Sequence, residues 1–355
     1  MKKKFSLLLA LLLSLGTVVG CNKTPNSGFV GTFWLESYTV KTVQPDFYEK
    51  IEYKVSSTEK DDKFAPALYD SNDGYLNFYV DEEKSSYVTE LYSENGLYVY
   101  KTRLVVFGQY TFGQSGVYTV EGDVTETETT FKGMEDGFAC VKSVKRVKNV
   151  YPVEQAPTTV DDFVTVTADF TVEYTDKSAT LTVSAKDEVS KAHLSAVAEP
   201  VTVKKYNKKA FIDNELMLLI FRNFKYENTL SYTFNTIETS TGGLKEINGS
   251  AYLTSESVSS DVTKQTAIKT IDMENSIDNL GVGRLPRKIN AFGITLKTTG
   301  EFSQSFAYVY YANSIGDDVN DAQNKSRHYM VKCFRPAIYN IGYLVYTLDT
   351  VSHTR

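Results

Sequence analysis

The segment Phe163–Tyr174 reads FVTVTADFTVEY, in which apolar and polar residues alternate from Val164 onward. Side chains of a β-strand point alternately to opposite faces, so this period of two predicts a strand with one buried and one solvent-facing side. The polar turn sequence TDKS follows, and residues 180–185 then alternate in the same way. Together the two segments predict a β-hairpin that covers a core with one of its faces.

The same alternation recurs along the chain in pairs of segments, most of them joined by short turns that contain glycine. The pairs are Ser86–Ser93 with Leu97–Phe107, Leu230–Ser240 with Leu244–Thr254, Ile289–Thr298 with Phe302–Ala312, and Tyr329–Phe334 with Ile341–Asp349. The 355-residue chain also contains 25 Tyr and 20 Phe, residue types that are frequent in strands. Successive hairpins predict a mainly β fold in which antiparallel strands form sheets or a half-barrel.

One segment departs from this alternation and predicts the clearest α-helix of the chain, at Asp213–Phe224. It is dense in straight-chain apolar residues, and Asp213 or Asn214 is a residue type that caps helix N-termini. We expect this helix to dock on the concave face of a curved sheet. One helical face, which belongs to the core or lines a candidate ligand cleft, is formed by Leu216, Leu219, Ile220 and Phe224.

The polar segment at residues 153–162, which contains Pro157, separates two strand-rich halves. We therefore place a β-rich N-terminal domain at residues 29–155 and a β-rich, half-barrel-like domain with the helix at residues 156–355. The pattern leaves open whether each half has a sheet of its own or both halves contribute to one continuous sheet.

The first 21 residues have the organisation of an export signal. Basic residues at positions 2–4 precede an apolar run, Phe5–Leu15, which is too short to span a bilayer as a helix. Small residues then lead to Cys21 in the sequence GTVVGC. This sequence resembles the lipobox of bacterial prolipoproteins, with Val18 at the position where Leu is most common.

The resemblance implies that residues 1–20 are a cleaved signal peptide and that Cys21 becomes the lipid-modified first residue of the mature protein. Residues 21–28 would then form a short tether, and the folded part would lie close to the extracytoplasmic side of the membrane. Two acyl chains anchor a protein stably, whereas one chain holds it only marginally. We therefore expect a secreted, palmitate-bearing lipoprotein of the cell envelope.

The long strands and the apolar helix of the second half are similar in architecture to the half-barrel lipoprotein carriers of the LolA/LolB type. In that superfamily a curved antiparallel sheet is plugged by helices and can hold acyl chains. The resemblance implies the same arrangement for about residues 160–350 of this chain. A lipid or another apolar ligand is then the expected partner.

The sequence contains little that points to catalysis or metal binding. No second His or Cys stands at metal-ligand spacing from any of the three histidines, His193, His328 and His353. We therefore expect no metal, cofactor or catalytic residue. The sequence DSNDG at residues 70–74 resembles a calcium loop with its glycine one place early, and we prefer a surface turn. Cys140 and Cys333 either form one disulfide or remain two buried thiols.

The charge of the chain argues against nucleic acid as a partner. Residues 1–20 contain three lysines and no acidic residue, so the formal net charge of −6 becomes −9 once they are removed. The one dense basic stretch, Lys142–Lys148, fits the polar side of a strand, which we prefer to a nucleic-acid patch.

These observations predict a membrane-anchored cell-envelope lipoprotein that is not an enzyme and binds an apolar or amphipathic ligand or an envelope partner. Two alternatives remain open. One is a surface adhesin with exposed aromatic strands, and the other is a hydrolase with carboxylates gathered from several strands. An enclosed apolar cleft would favour the binding protein, a flat aromatic patch the adhesin, and a cleft with convergent carboxylates the hydrolase.

Overall fold

The computed structural model describes residues 29, 31–35, 39–58, 75–154, 156–205, 209–224, 231–251, 268–272, 285, 287–298, 305–312, 327–337 and 341–353. The strands in these ranges are β1 (Tyr48–Ser57), β2 (Leu76–Val80), β3 (Ser86–Glu94), β4 (Leu97–Phe112), β5 (Gly116–Phe131), β6 (Cys140–Pro152), β7 (Phe163–Tyr174), β8 (Ser178–Ala185), β9 (Val201–Lys204), β10 (Ser231–Ile237), β11 (Leu244–Ala251), β12 (Ile268–Asp272), β13 (Lys288–Thr298), β14 (Ser305–Ala312), β15 (Met330–Pro336) and β16 (Tyr343–His353). The α-helices in the same ranges are α1 (Glu188–His193) and α2 (Leu216–Ile220).

All of these strands belong to one antiparallel sheet. Its order is β10-β11-β13-β14-β15-β16-β1-β3-β4-β5-β6-β7-β8-β9, with β12 beside β13 and β2 beside β4. The hairpin predicted from Phe163–Tyr174 is present as β7 and β8, whose register joins Tyr174 to Ala179. The predicted fold class is confirmed: the protein is mainly β and antiparallel, with a helix docked on the sheet.

The sheet curls until its two ends almost meet, so that it is nearly closed into a barrel. The segment between β9 and β10 spans the gap. Phe211 forms a parallel bridge with Asn235 of β10, and the Ile212 N–H donates to the Asn235 carbonyl at 3.0 Å. At the same gap, the turn at Gly242 packs against Val201 of β9. The barrel interior is therefore enclosed by strands from both halves of the chain.

Of the two arrangements that the sequence left open, the structure has one continuous sheet. β6 and β7 pair from Lys142 opposite Glu173 to Pro152 opposite Phe163. The hydrogen-bonded ladder therefore continues from the first half of the chain into the second across residues 153–162. β1, from the first half, likewise pairs with the C-terminal β16.

The predicted helix at Asp213–Phe224 is present but shorter than expected. The α-helical part covers Leu216–Ile220 and continues as a 3-10 turn over Phe221–Asn223, while Phe224 is already extended. α1 has no counterpart among the predicted elements. No helix in the described ranges has the length and apolar character that a membrane span requires.

The predicted capping of this helix by Asp213 or Asn214 is wrong. The Asp213 carboxylate accepts the Tyr174 hydroxyl at 3.1 Å and the Glu215 N–H at 3.0 Å, which forms a turn before the helix. Asn214 Oδ1 accepts the Thr236 hydroxyl at 3.2 Å. Glu215 is the N-cap residue, and its side chain makes no capping hydrogen bond. Tertiary hydrogen bonds thus use both side chains that local capping preferences would assign to the helix.

α2 is apolar on every side and lies inside the barrel, where each of its residues is at most 2 % exposed. The Leu218 carbonyl accepts the Tyr311 hydroxyl of β14 at 2.6 Å. Phe221 packs so closely on Gly249 of β11 that a Cβ there would lie 2.1 Å from its ring. The helix therefore plugs the barrel, as its all-round apolar surface requires.

Two ion pairs, one partly buried and one buried, connect the ends of this plug to neighbouring strands. On the N-terminal side, Arg335 of β15 donates to both carboxylate oxygens of Glu215, at 3.0 and 2.9 Å. On the C-terminal side, Arg222 donates to both carboxylate oxygens of Glu49 on β1, at 2.6 and 3.2 Å. Because an unpaired charge in the protein interior is costly, these pairs fix the helix against β15 and β1.

Candidate functional site

The residues predicted as a candidate ligand cleft belong to the packed core of the plug. These four residues are Leu216, Leu219, Ile220 and Phe224. Each is at most 2 % exposed, and none of them lines the cavities described below. Accessible space lies instead in a chamber at one mouth of the barrel and in cavities on the outer surface of the sheet. The predicted lipidation site, Cys21, lies outside the described residues.

The mouth of the barrel holds a chamber of about 160 Å³. One wall is the inner face of β4, β5 and β6, where Leu104, Thr125 and Asn149 share a face with the core residue Val147. The other wall is the connection between β15 and β16, from a distant part of the sequence. The lining residues are Phe78, Leu104, Val106, Tyr110, Asp123, Thr125, Asn149, Val150, Tyr151, Pro336, Ala337 and Leu344. Apolar side chains thus surround a few polar groups.

Asp123 lines this chamber next to a bulge in β5. The register between β4 and β5 shifts beside Phe107, which leaves Gly122 as the extra residue on β5. Gly122 has a φ of 116°, a left-handed conformation that favours glycine, and the Phe107 ring packs where a side chain would stand. β5 pairs with β6 only from Val124 onward, so Asp123 lies where the two strands part.

Because β5 no longer pairs with β6 here, the Val150 N–H donates to the Asp123 carboxyl group, at 3.0 Å, instead of to a backbone carbonyl of β5. Burial raises the pKa of this carboxyl from 3.8 to about 7, while the Val150 N–H and the positive charge of Lys148 act in the opposite direction. The group therefore changes its protonation state near neutral pH. A titrating carboxyl in a cleft is a common feature of functional sites.

Asn149 supplies the second polar group of the chamber. Its Nδ2 donates to Thr125 Oγ1 at 2.9 Å and to Tyr151 Oη at 3.2 Å. Its Oδ1 is buried and has no hydrogen-bond partner among the described residues. Because an unpaired buried acceptor costs about 1–3 kcal/mol, this atom favours a ligand that brings a donor. Burial is also the main reason that the pKa of Tyr151 is raised, so its hydroxyl keeps its proton at neutral pH.

Replacing Asp123 with Asn should make the protein more stable at alkaline pH. In the wild type the pKa of Asp123 is higher in the folded state than in the unfolded state. The neutral carboxyl therefore makes its full contribution to the free energy of unfolding below about pH 4, and this contribution is lost as the pH rises to about 7. The advantage of Asp123→Asn over the wild type should therefore grow by about 3 kcal/mol between pH 5 and pH 8.

Urea denaturation of both proteins at the two pH values measures this difference. Glu121→Gln is the matched control, because Glu121 lies two residues away on β5 and is exposed. The control should leave the pH dependence unchanged. Parallel stability curves for the wild type and Asp123→Asn would show that the carboxyl does not titrate in the folded state as stated here.

Two of the histidines pack against aromatic rings. His328 is buried, with its ring stacked on Phe33 at 3.9 Å and its Nδ1 2.8 Å from the Arg222 carbonyl oxygen. Burial lowers the pKa of this imidazole to about 4, so it is neutral at pH 7. His193 stacks on Tyr151. Within the described ranges no three His, Cys, Asp or Glu side chains are grouped so that they could hold a metal ion.

Cys140 and Cys333 are two buried free thiols, one of the two alternatives that the sequence left open. Burial raises the pKa of both, to about 12 for Cys333, so neither thiol is ionised at neutral pH. The Asp213 N–H donates to the Cys140 sulfur at 3.4 Å. Both cysteines therefore act as packing residues. The calcium-loop-like sequence at residues 70–74 lies outside the described residues.

The basic stretch Lys142–Lys148 lies on β6. Arg146 is exposed and stands opposite Glu126 on β5 and Asp169 on β7, so that charges of opposite sign alternate across the sheet. Such cross-strand pairs are the usual arrangement of a solvent-facing sheet surface. Lys142, Arg146 and Lys148 are therefore on the polar side of the strand, as the sequence pattern indicated. Lys145 is the exception, because it stands opposite the core residue Phe170 on the inner face.

Comparisons with known proteins add no assignment to this site. The chain matches no protein-family model, no curated protein and no solved structure.

Proposed function

We propose that this protein is a lipid-anchored protein of the cell envelope that binds a small amphipathic ligand, without catalysis, in the chamber at the barrel mouth. The observation that carries the proposal is the chamber itself. Apolar walls from two distant parts of the chain surround the buried Asn149 Oδ1 and the Asp123 carboxyl group. A mostly apolar lining with a few convergent polar groups is the usual composition of a small-molecule site.

The size and polarity of the chamber restrict the ligand. Its 160 Å³ is below the roughly 300–1,000 Å³ of pockets for drug-sized ligands and close to the roughly 150 Å³ of a cavity that holds one benzene molecule, so only a polar head and a few carbon atoms fit. Asn149 Oδ1 accepts hydrogen bonds, and the Asp123 carboxylate does so above its pKa. The preferred ligand is therefore an amphipathic alcohol or amine whose tail extends out of the mouth, since the walls around the head are apolar.

The hydrolase alternative has less support at this site. Glycoside hydrolysis, for example, uses two carboxyl groups on opposite sides of the scissile bond. Asp123 is the single carboxyl group among the described residues that line the chamber. Asp123, with the Asn149 amide and the two tyrosines of the chamber, can orient a ligand. It does not provide the two carboxyl groups that such hydrolysis requires. The adhesin alternative concerns the outer surface and is independent of the chamber.

The membrane anchor belongs to the same proposal and is supported by the signal-like residues 1–20 and by Cys21. A tether of eight residues, 21–28, can extend over roughly 26 Å. A ligand that partitions into the lipid surface would thus be within reach of the barrel. The two parts of the proposal are separable, because the anchor depends on Cys21 and ligand binding depends on the chamber.

Filling the chamber should abolish ligand binding. Leu104 is half-buried on the inner face of β4, and Leu104→Trp would occupy the space that the ligand head needs. Isothermal titration with n-octylamine and n-octanol at pH 8 measures binding by the full-length protein in detergent. We expect binding by the wild type, tighter for the amine because the Asp123 carboxylate is then ionised, and no binding by Leu104→Trp.

Arg103→Trp is the matched control for this experiment. Arg103 is the neighbouring residue on β4 but points to solvent, where it pairs with Glu126 at 3.0 Å. An exposed pair of this kind contributes little to stability, so the control should fold and bind like the wild type. Equal binding by Leu104→Trp and Arg103→Trp, or no binding by the wild type, would refute the chamber as the site.

A further inference from the structure

A second, larger cavity lies on the outer surface of the hairpin formed by β4 and β5, where β2 pairs with β4. This groove has a volume of about 630 Å³, within the range of roughly 300–1,000 Å³ that ligand pockets occupy. The groove is lined by Tyr79, Val80, Asp81, Lys84, Phe107, Gly108, Gln109, Thr119, Val120 and Glu121. Its side chains differ in character from those of the chamber, which lies on the inner face of the same strands.

The register of three strands places the lining side chains in rows. Tyr79, Gln109 and Thr119 stand directly opposite one another on β2, β4 and β5. In the next row Phe107 stands opposite Glu121. Because neighbouring strands are about 4.8 Å apart, the three strands form a platform about 10 Å wide, which matches about two linked sugar rings.

A close approach of two strands fixes the aromatic part of this platform. A Cβ at Gly108 of β4 would lie 2.3 Å from the Tyr79 carbonyl oxygen, so only glycine allows β2 to come this near. The turn after β2 is held by the Asp81 N–H, which donates to the Phe107 carbonyl at 2.8 Å. The backbone of Tyr79 therefore lies directly against β4, although its side chain faces solvent.

Tyr79 is 57 % exposed, an unusual position for a large aromatic side chain. Around it are an amide (Gln109), a hydroxyl (Thr119) and a carboxylate (Glu121). A sugar ring has an apolar face of C–H groups that packs on an aromatic ring and a rim of hydroxyls that bond to such polar groups. The groove thus combines the two kinds of surface that a saccharide needs, at positions set by the strand register.

The charges of the groove select among saccharides and exclude other ligands. Asp81 and Glu121 contribute two carboxylates, whereas Lys84 is one ammonium group and is paired with Asp81 at 2.7 Å. This excess of negative charge repels phosphate-bearing lipids, nucleic acids and acidic sugars. A purely apolar ligand would leave the polar groups without hydrogen-bond partners. We propose that the groove formed by Tyr79, Gln109, Thr119 and Glu121 binds a neutral saccharide.

Titration of the full-length protein with maltotriose, cellotriose, xylotriose and chitotriose tests this proposal. At least one of these neutral probes should bind with a dissociation constant in the millimolar range or below. Tyr79→Ala should weaken that binding about tenfold or more, because an aromatic anchor at the centre of a site carries much of the affinity. Tyr79→Phe, which keeps the ring, should bind like the wild type.

Tyr75→Ala is the matched control, since Tyr75 is also an exposed tyrosine beside β2 but does not line the groove. It should leave saccharide binding unchanged, as should Leu104→Trp, which blocks only the chamber. If Tyr79→Ala proves unstable by its melting temperature, Gln109→Ala, at an exposed position, replaces it with the same expected loss. No binding of any probe at millimolar concentration, or equal binding by Tyr79→Ala and Tyr75→Ala, would overturn the proposal.

Discussion

Arg222→Met is expected to destabilise the protein by about 3–5 kcal/mol, because it leaves the Glu49 carboxylate buried without its partner. Arg222 and Glu49 have side chains that are 3 % and 2 % exposed, and two hydrogen bonds join them. The same guanidinium also donates to the Arg327 carbonyl from Nε at 3.2 Å and from Nη2 at 3.0 Å. Removal of Arg222 thus leaves both a charge and a carbonyl without the donors that satisfy them.

The double variant Glu49→Leu with Arg222→Met separates the cost of an unpaired charge from the loss of the pair itself. When both charges are replaced by apolar residues of similar size, a buried pair is often dispensable, so the double variant should be more stable than Arg222→Met alone. Chemical denaturation of the wild type, Arg222→Met, Glu49→Leu and the double variant measures these differences. If the two substitutions destabilise additively, Glu49 and Arg222 do not interact as the structure shows.

Leu219→Asp is expected to cost several kcal/mol and to prevent stable folding, because it places an unpaired carboxylate inside the plugged barrel. Leu219 is 2 % exposed, and every other residue of α2 is at most 2 % exposed, so the new charge cannot turn to solvent. Thermal unfolding followed by circular dichroism is the measurement. Marginal proteins lose their fold at a cost of this size.

Val189→Asp serves as the control for Leu219→Asp, because Val189 lies in the other helix, α1, and is 51 % exposed. An acidic residue there should change the stability by no more than about 0.5 kcal/mol. A wild-type melting temperature for Leu219→Asp would mean that the helix does not plug the barrel. If the variant folded but lost a bound ligand, the apolar face of the helix would belong to the ligand site after all.

Local patterns in the sequence predicted many of the strands and the position of the helix at Leu216–Ile220, but not β1, β2, β5, β9 and β12. Period-two alternation over Phe163–Tyr174 corresponds to β7 because one face of that strand packs on the core. The apolar run after Asp213 corresponds to α2 for the same reason. The start of α2 was missed because Tyr174, 39 residues away, competes for the Asp213 carboxylate. Local propensity contains no information about such long-range partners.

The chamber at the barrel mouth was not predicted, because its walls come from β4–β6 and from the connection after β15. One local signal was nevertheless present. Gly122 interrupts the polar and apolar alternation of β5, and a glycine within a strand often marks a bulge. That signal indicates Asp123 as a residue at an irregular position. It does not indicate that Asn149 and Tyr151 lie beside it, which requires the strand order.

The membrane anchor is the part of the proposed function that a single measurement can decide. Metabolic labelling of the full-length protein with radioactive palmitate, expressed in a bacterial host, should label the wild type and place it in the membrane fraction. Cys21→Ala should carry no label, whereas Cys140→Ala and Cys333→Ala, which alter buried thiols, should be labelled like the wild type. Palmitate on Cys21→Ala, or none on the wild type, would contradict a lipid anchor at Cys21.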